Sequence, residues 1–414
     1  MLHRLKFLTL MLMATMLTAL PPCAFADTPG PADGAPAPGL DDVTVSIVVF
    51  DPGSVIYELE GHAALRVRTP STDVIYNWGT FDFAAPNFVY RFVKGETDYS
   101  MAAAPTAPYL AYYASQGRVT TEQVLDLTPA QKEALLKALR AGMLPQNRVY
   151  RYNYVKDNCS TRIIRVLREA AAAGGDSIVL APAPTGLVGT QPTFRSVMRR
   201  YHANYPWYQF GIDLALGSGI DKPLEGEQAA FAPVVMRPMA EGATIGGRPL
   251  VSASGVILPG EDVTAGSTPW YLTPMAAATV VFMLAVLLSV RDWKRRRVSR
   301  WFDAALFGLF GLAGCLIAFL VFVSSHEATS PNVLILWLNP LCLLVPALIW
   351  VRRACGILRA YMALNTLAVA AMLVAAAYSG QHLNGAFYPL IAADIVRSLS
   401  YFFLAPCKKE SYRH

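Results

Sequence analysis

Hydrophobic positions along this chain fall into two regimes that meet near Pro269. Before that point they come in short periodic stretches. Val43–Phe50 is rich in β-branched residues, and Leu59–Val67 and Val74–Phe83 flank a turn-like Thr69–Asp73, which predicts a β-hairpin opening with Gly61-His62. Thr128-Pro129-Ala130-Gln131 carries a capping-box pattern with proline at the first helical position, and predicts a helix that ends near Ala141-Gly142. From Cys159 onward, apolar residues at 163, 166, 167 and 170 alternate with Arg162, Arg165 and Arg168, which is an amphipathic helix with Asp157 or Asn158 as its N-cap. The segment Pro206–Gly217 is apolar and aromatic but too short to cross a bilayer. It suits a membrane-surface element, a substrate wall or an ordinary core segment equally.

After Pro269 the pattern changes to five apolar runs, at about 271–290, 302–324, 333–351, 360–378 and 387–405. Each approaches the ~20 residues that a membrane-spanning helix needs. At the other end, His3, Arg4 and Lys6 precede an apolar run from Phe7 to Leu20 and then Ala24-Phe25-Ala26. This is the layout of a secretory signal cleaved before Asp27. The chain therefore divides into a signal peptide (1–26), a Pro/Ala/Gly-rich lead-in (27–40), an exported domain (41–265), five transmembrane helices (270–405) and a tail (406–414).

Charge gives the orientation. The 414 residues are 54% hydrophobic and only 15% charged, with a formal net charge of +6. Residues 27–270 hold 20 Lys+Arg against 24 Asp+Glu, so the positive excess lies outside the soluble part, and nucleic-acid binding loses its electrostatic support. Arginines and lysines cluster at 291–300, 352–359 and 408–413, whereas loops 324–332 and 379–386 contain none. By the positive-inside rule the exported domain and these two loops share the outer side, and five crossings bring the tail to the cytoplasm. Within the last run, Asp394 and Arg397 stand three apart and are expected to pair on one helix face.

Of six cysteines, Cys159 is the one in the exported domain. A solitary thiol there is either a buried inert group or a nucleophile. Its place in the first helical turn favours thiolate and predicts a lowered pKa. The domain offers two histidines as a base. His62 starts a strand, whereas His202, in Arg199-Arg200-Tyr201-His202, reads as an exposed helical residue. Asn77 is the first choice to orient the His62 ring and Asp82 the second. A turn centred on Ser71–Thr72, however, sets Phe81 opposite His62 and leaves Asn77 two residue pairs away on the same face.

Taken in order, Gly61-His62-Ala-Ala-Leu, Tyr76-Asn77-Trp-Gly-Thr-Phe-Asp-Phe, Asp157-Asn158-Cys159-Ser-Thr-Arg162 and the outer loop Ser325-His326-Glu-Ala-Thr-Ser-Pro331-Asn332 resemble the Lnb-type bacterial lipoprotein N-acyltransferases. That resemblance implies an α+β permuted papain-like (NlpC-like) extracytoplasmic domain followed by an all-α five-helix transmembrane bundle. It also implies a Cys159–His62 pair with Asn77 as the orienting group, and residence in the bacterial inner membrane. The implied reaction passes an acyl chain from a phospholipid, through a thioester, to the N-terminal diacylglyceryl-cysteine amine of a lipoprotein. Asn158, Arg162, His326 and Asn332 are the candidate substrate-binding residues, with His326 placed for a headgroup. No cofactor is called for, and the absence of HExxH or CxxC spacing gives no support for zinc. A papain-like peptidase or amidase acting on cell-wall peptide would use the same pair, and a non-enzymatic assembly protein would use neither.

Overall fold

The chain's structure is a computed structural model that describes residues 39–82 and 84–405. The signal peptide, most of the lead-in, the tail, Cys23, Cys407 and Phe83 lie outside the described residues.

Seven strands, β1 (Thr44–Phe50), β2 (His62–Arg68), β3 (Asp73–Thr80), β4 (Asp98–Pro105), β5 (Thr120–Leu125), β6 (Val149–Arg151) and β7 (Val251–Leu258), form one antiparallel sheet in the order β7-β5-β1-β2-β3-β4-β6. Between them run α1 (Phe88–Lys94), α2 (Thr106–Ser115), α3 (Pro129–Met143) and α4 (Cys159–Ala173), then α5 (Phe194–Tyr201), α6 (Pro206–Ala215) and α7 (Pro233–Glu241). β1 is central and buried on both faces, as its continuous apolar run requires. Alternation sorts its side chains. Val45, Ile47 and Val49, with Ala63, Leu65 and Val67 of β2, join Leu135 and Leu139 of α3 and Ile163, Val166 and Leu167 of α4 in the larger core. Val48, Phe50 and Ala64 join Tyr109 and Tyr113 of α2 on the opposite face.

The predicted hairpin forms with a different centre. β2 and β3 pair Arg68 with Asp73 and Ala64 with Asn77, so the loop is the two residues Pro70-Ser71, closed by Thr69 N–H donating to Thr72 O at 2.8 Å. Pro70 presets the turn's φ, and the Thr69 hydroxyl accepts from the Ser71 and Thr72 amides. Moving the centre by one position shifts every partner by two. α3 starts on the Thr128–Gln131 capping box, and α4 starts at Cys159 with Asn158 as N-cap.

Beyond Pro269 stand α8 (Pro274–Arg295), α9 (Arg300–Phe322), α10 (Leu344–Leu348), α11 (Cys355–Ser379) and α12 (Phe387–Leu404). Four of these are long and apolar enough to cross a membrane: α8, α9, α11 (with the Arg352–Ala354 turn) and α12. The third apolar run is not one helix. It is built from 3-10 turns at Val333–Leu336 and Pro340–Leu343 followed by α10, because Pro340 lacks an N–H and the Asn339 side chain accepts from the Leu341 amide instead. It nevertheless follows α9 closely. A Cβ on Gly314 would lie 2.4 Å from the Asn339 carbonyl carbon, one on Gly311 2.8 Å from the Leu343 nitrogen, and one on Gly308 3.7 Å from Pro346. The rings of Trp301 and Trp350, 4.7 Å apart, end the track. Small residues at three-residue spacing are what permit this approach.

The expected Asp394–Arg397 pair does not form. Arg397 instead reaches α9 and α8, binding Asp303 at 2.6 Å and Asp292 at 2.9 Å. Asp394 faces Trp337, Asn365 and Ser398. Although three apart on α12, the two side chains meet different neighbours, and cross-helix partners outcompete the intrahelical one.

α6 is the joint between domain and bundle. Phe210 packs on Phe387 at 5.1 Å, Asn332 Nδ2 donates to Leu214 O, Asn384 Nδ2 to Asp213, and Trp207 Nε1 to Leu272 O. Replacing Gly314 by Leu is expected to lower the thermal unfolding midpoint of the purified full chain, with a cost of about 1–3 kcal/mol or more for overpacking. Gly308→Ala should be nearly neutral, since only Pro346 is near.

Candidate active site

Cys159 emerges from a tightly specified turn. Asn158 Oδ1 accepts from Thr161 N–H, and Thr161 Oγ1 accepts from Asn158 N–H. Asn158 Nδ2 donates to the Tyr154 and Phe231 carbonyls at 2.8 Å each. All the polar atoms of Asn158 are thus used in holding the helix start, and its role is architectural. Asp157 takes Arg162 in a bidentate pair at 2.8 and 2.7 Å, and the guanidinium also lies 3.5 Å over the Tyr150 ring. This leaves the fork of Arg162 committed within the protein.

The thiol itself is buried, and burial pushes its pKa above the usual thiol range. Hydrogen bonding from the Ala63 backbone N–H and from Ser160 opposes that shift without reversing it. The lowered pKa expected from helix position is therefore overturned. Desolvation outweighs the first-turn amides, and the capping box already occupies part of what those amides would offer.

His62 opens β2 on the opposite pleat. Its ring stacks on Phe50 and Tyr113, with centroids 6.0 and 6.4 Å away, whereas Ala63 turns toward α4 and the thiol. The observed register makes Asn77, opposite Ala64, the diagonal neighbour of His62, and Nε2 lies 2.7 Å from Asn77 Oδ1. Asn77 Nδ2 donates to Thr80 Oγ1 at 3.2 Å, which fixes which end of the amide faces the ring. With Oδ1 as acceptor, the proton sits on Nε2 and the free lone pair on Nδ1. Burial lowers the His62 pKa to about 4; the bond to Asn77 works against this and the charge of Arg118 adds to it. Among the described residues no hydrogen bond joins His62 to the sulfur; the strand links them through the adjacent Ala63 amide. Asp82, the second choice as orienting group, is exposed and accepts from the Ala84 amide.

Other placements differ from expectation. His202 is 1% exposed rather than solvent-facing. Its Nε2 lies 2.8 Å from Glu60 and its Nδ1 2.8 Å from Gln209. Tyr154 donates to the same Glu60 at 2.5 Å, so this buried cluster braces the turn that carries His62. His326 Nε2–H donates to the Phe92 carbonyl at 2.7 Å, while the Ser324 and Ser325 hydroxyls donate to the Val93 and Lys94 carbonyls. Asn332 is buried and bonded to Leu214 O and Gln381. These two outer-loop residues dock the bundle to the domain. They are not gathered around Cys159.

Reading the sequence also missed a wall of tyrosines. Tyr150, Tyr152 and Tyr154 alternate along the extended segment before α4, and Tyr152 stacks on Tyr99 at 4.4 Å. Burial raises all three hydroxyl pKa values, and the Cys159 charge contributes for Tyr150 and Tyr152, so both rings stand near the sulfur. The Tyr-x-Tyr-x-Tyr spacing was the available signal. Among the described residues no group of three or more His, Cys, Asp or Glu is placed to hold a metal ion.

A sheet-rich domain with a buried helix-start cysteine, carried on apolar membrane-length helices, has the organisation of a membrane protein with a folded domain outside the bilayer. Family comparison agrees with this organisation. The Lnb N-terminal periplasmic domain matches residues 39–190 and the Lnb transmembrane domain matches residues 266–410, so the chain belongs to the Lnb family. It is thereby a lipoprotein N-acyltransferase-like membrane protein with a periplasmic N-terminal domain. No curated protein and no solved structure matches it.

Alkylation of Cys159 by iodoacetamide, read by peptide mass spectrometry on the full chain, should be slow at neutral pH and rise with a midpoint above the ordinary thiol value. A midpoint near neutrality would contradict the burial-dominated environment.

Proposed function

We propose that this protein is a thiol-dependent lipoprotein N-acyltransferase of the bacterial inner membrane, crossing it five times. The observation that supports the mechanism most directly is the Thr80–Asn77–His62 relay, which holds the imidazole as the Nε2–H tautomer with Nδ1 free as a base. In the proposed reaction Nδ1 takes the thiol proton and the Cys159 thiolate attacks an acyl ester of a phospholipid. The tetrahedral intermediate collapses to a thioester, and the departing lysophospholipid alkoxide receives the proton from His62. The α-amine of a diacylglyceryl-cysteine then attacks the thioester. His62 accepts the amine proton, returns it to the departing sulfur, and an amide is formed. Amides at the start of α4 and of Ala63 suit stabilisation of the oxyanion. His62 and Cys159 start on opposite faces of β2, so the mechanism requires the start of the strand to rearrange on substrate binding until Nδ1 meets the thiol.

In this scheme a base whose pKa is about 4 is unprotonated through neutral pH, so the rate should hold there and fall as the pH drops toward about 4, where His62 takes up a proton. The decisive measurement is the mass of a reporter lipoprotein N-terminus in cells carrying or lacking the protein. Cys159→Ser and His62→Ala should abolish the added acyl mass, and Asn77→Ala should reduce the rate by about 10²-fold or more. An unchanged acyl mass with Cys159→Ser would sink the proposal. Cleavage of cell-wall peptide instead would transfer the same residues to a peptidase.

A further inference from the structure

Where the broken third apolar run ends at Leu348, the non-periplasmic end of the bundle is not filled, and a cleft of about 690 Å³ opens between the α8–α9 turn and Trp350–Arg352. Arg296, Arg297, Arg300 and Arg352 line it, and none of their guanidinium groups has a carboxylate or hydrogen-bond partner among the described residues. The nearby carboxylate, Asp292, is buried and taken by Arg397 and by the Ser299 amide and hydroxyl. The side wall is aromatic: Trp301 and Trp350 pack at 4.7 Å at the ends of apolar runs, and tryptophan favours the boundary between acyl chains and headgroups. From the mouth, exposed Leu284 and Leu287 of α8 and Leu309 and Leu312 of α9 continue into the apolar belt.

Basic loops that serve only to orient a membrane protein need nothing more than charge in water. Here four arginines without a protein partner among the described residues converge on one concavity, where an anion would relieve their mutual repulsion and meet several guanidinium groups at once. We propose that this cleft binds the phosphate headgroup of an anionic glycerophospholipid from the cytoplasmic leaflet. The arginines hold the phosphodiester oxygens, the tryptophan pair lies against the glycerol region, and the acyl chains run along α8 and α9. Neither His62 nor Cys159 takes part, so this site stands or falls independently of the proposed acyl transfer.

The test is native mass spectrometry of the full chain in detergent, titrated with phosphatidylglycerol or phosphatidylcholine. One retained phosphatidylglycerol is expected, favoured over phosphatidylcholine by about tenfold or more, with the preference shrinking as salt is raised. The combined Arg296→Gln, Arg297→Gln and Arg352→Gln variant should lose the preference, while the matching Arg→Lys variant keeps most of it. Equal retention of both lipids by the wild type, or a preference indifferent to salt, overturns the proposal even if the glutamine variant fails to fold. So does displacement of the lipid by millimolar inorganic phosphate, which would make this a soluble-anion site.

Discussion

The arrangement depends on one buried cation. Arg195 is 1% exposed and places its guanidinium between Asp213 and Asp221, at 2.8 Å each, and the carbonyls of Leu216 and Gly217 at 2.9 Å. A lone charge in that position would be prohibitive, but here two carboxylates and two carbonyls surround it. The result is that the end of α6 is held at one angle, and the bundle's outer loop docks onto that end. Gly217 N–H donates to Ala328 O and Ser218 N–H to Pro331 O. Removing the guanidinium would strip buried Asp221 of its cation and leave Asp213 to Arg199 and Asn384 at the seam between domain and bundle. The periplasmic sheet therefore stands on the bundle in part through a polar knot wrapped in aromatic packing.

The site has a similar economy of parts. One amide, Asn77, sets the tautomer of one imidazole, and a hydroxyl, Thr80, sets the amide. Burial disfavours the charged form of both Cys159 and His62, so the free protein stores no ion pair there and exposes no reactive thiolate. Reactivity under the proposed mechanism must then be created by substrate closure rather than carried permanently.

Much of this was legible in the chain, and the failures have physical causes. The hairpin, α3 and α4 could be read because alternation, capping residues and helical period are local properties, and the capping boxes at Thr128 and Asn158 form as their spacing requires. The hairpin centre was misread by one position because proline chemistry, not symmetry of the loop, decides a two-residue turn. His202 was read as exposed from its basic neighbours, yet its partner Glu60 is 142 residues away in sequence. The thiol pKa failed for a related reason: a helix start is visible in sequence, whereas the depth at which it is buried is not. Asn339-Pro340 did announce the break in the third run, but hydropathy averaged over a window conceals it.

The two-residue turn between β2 and β3 also limits which length changes the site can tolerate. Because side chains alternate with a period of two, adding or deleting one residue at Pro70-Ser71 would turn Asn77 away from His62 and send it to the face occupied by α4. Length changes at that loop are therefore admissible only in pairs. The parity of a surface turn then governs, from a distance, whether the amide meets the imidazole.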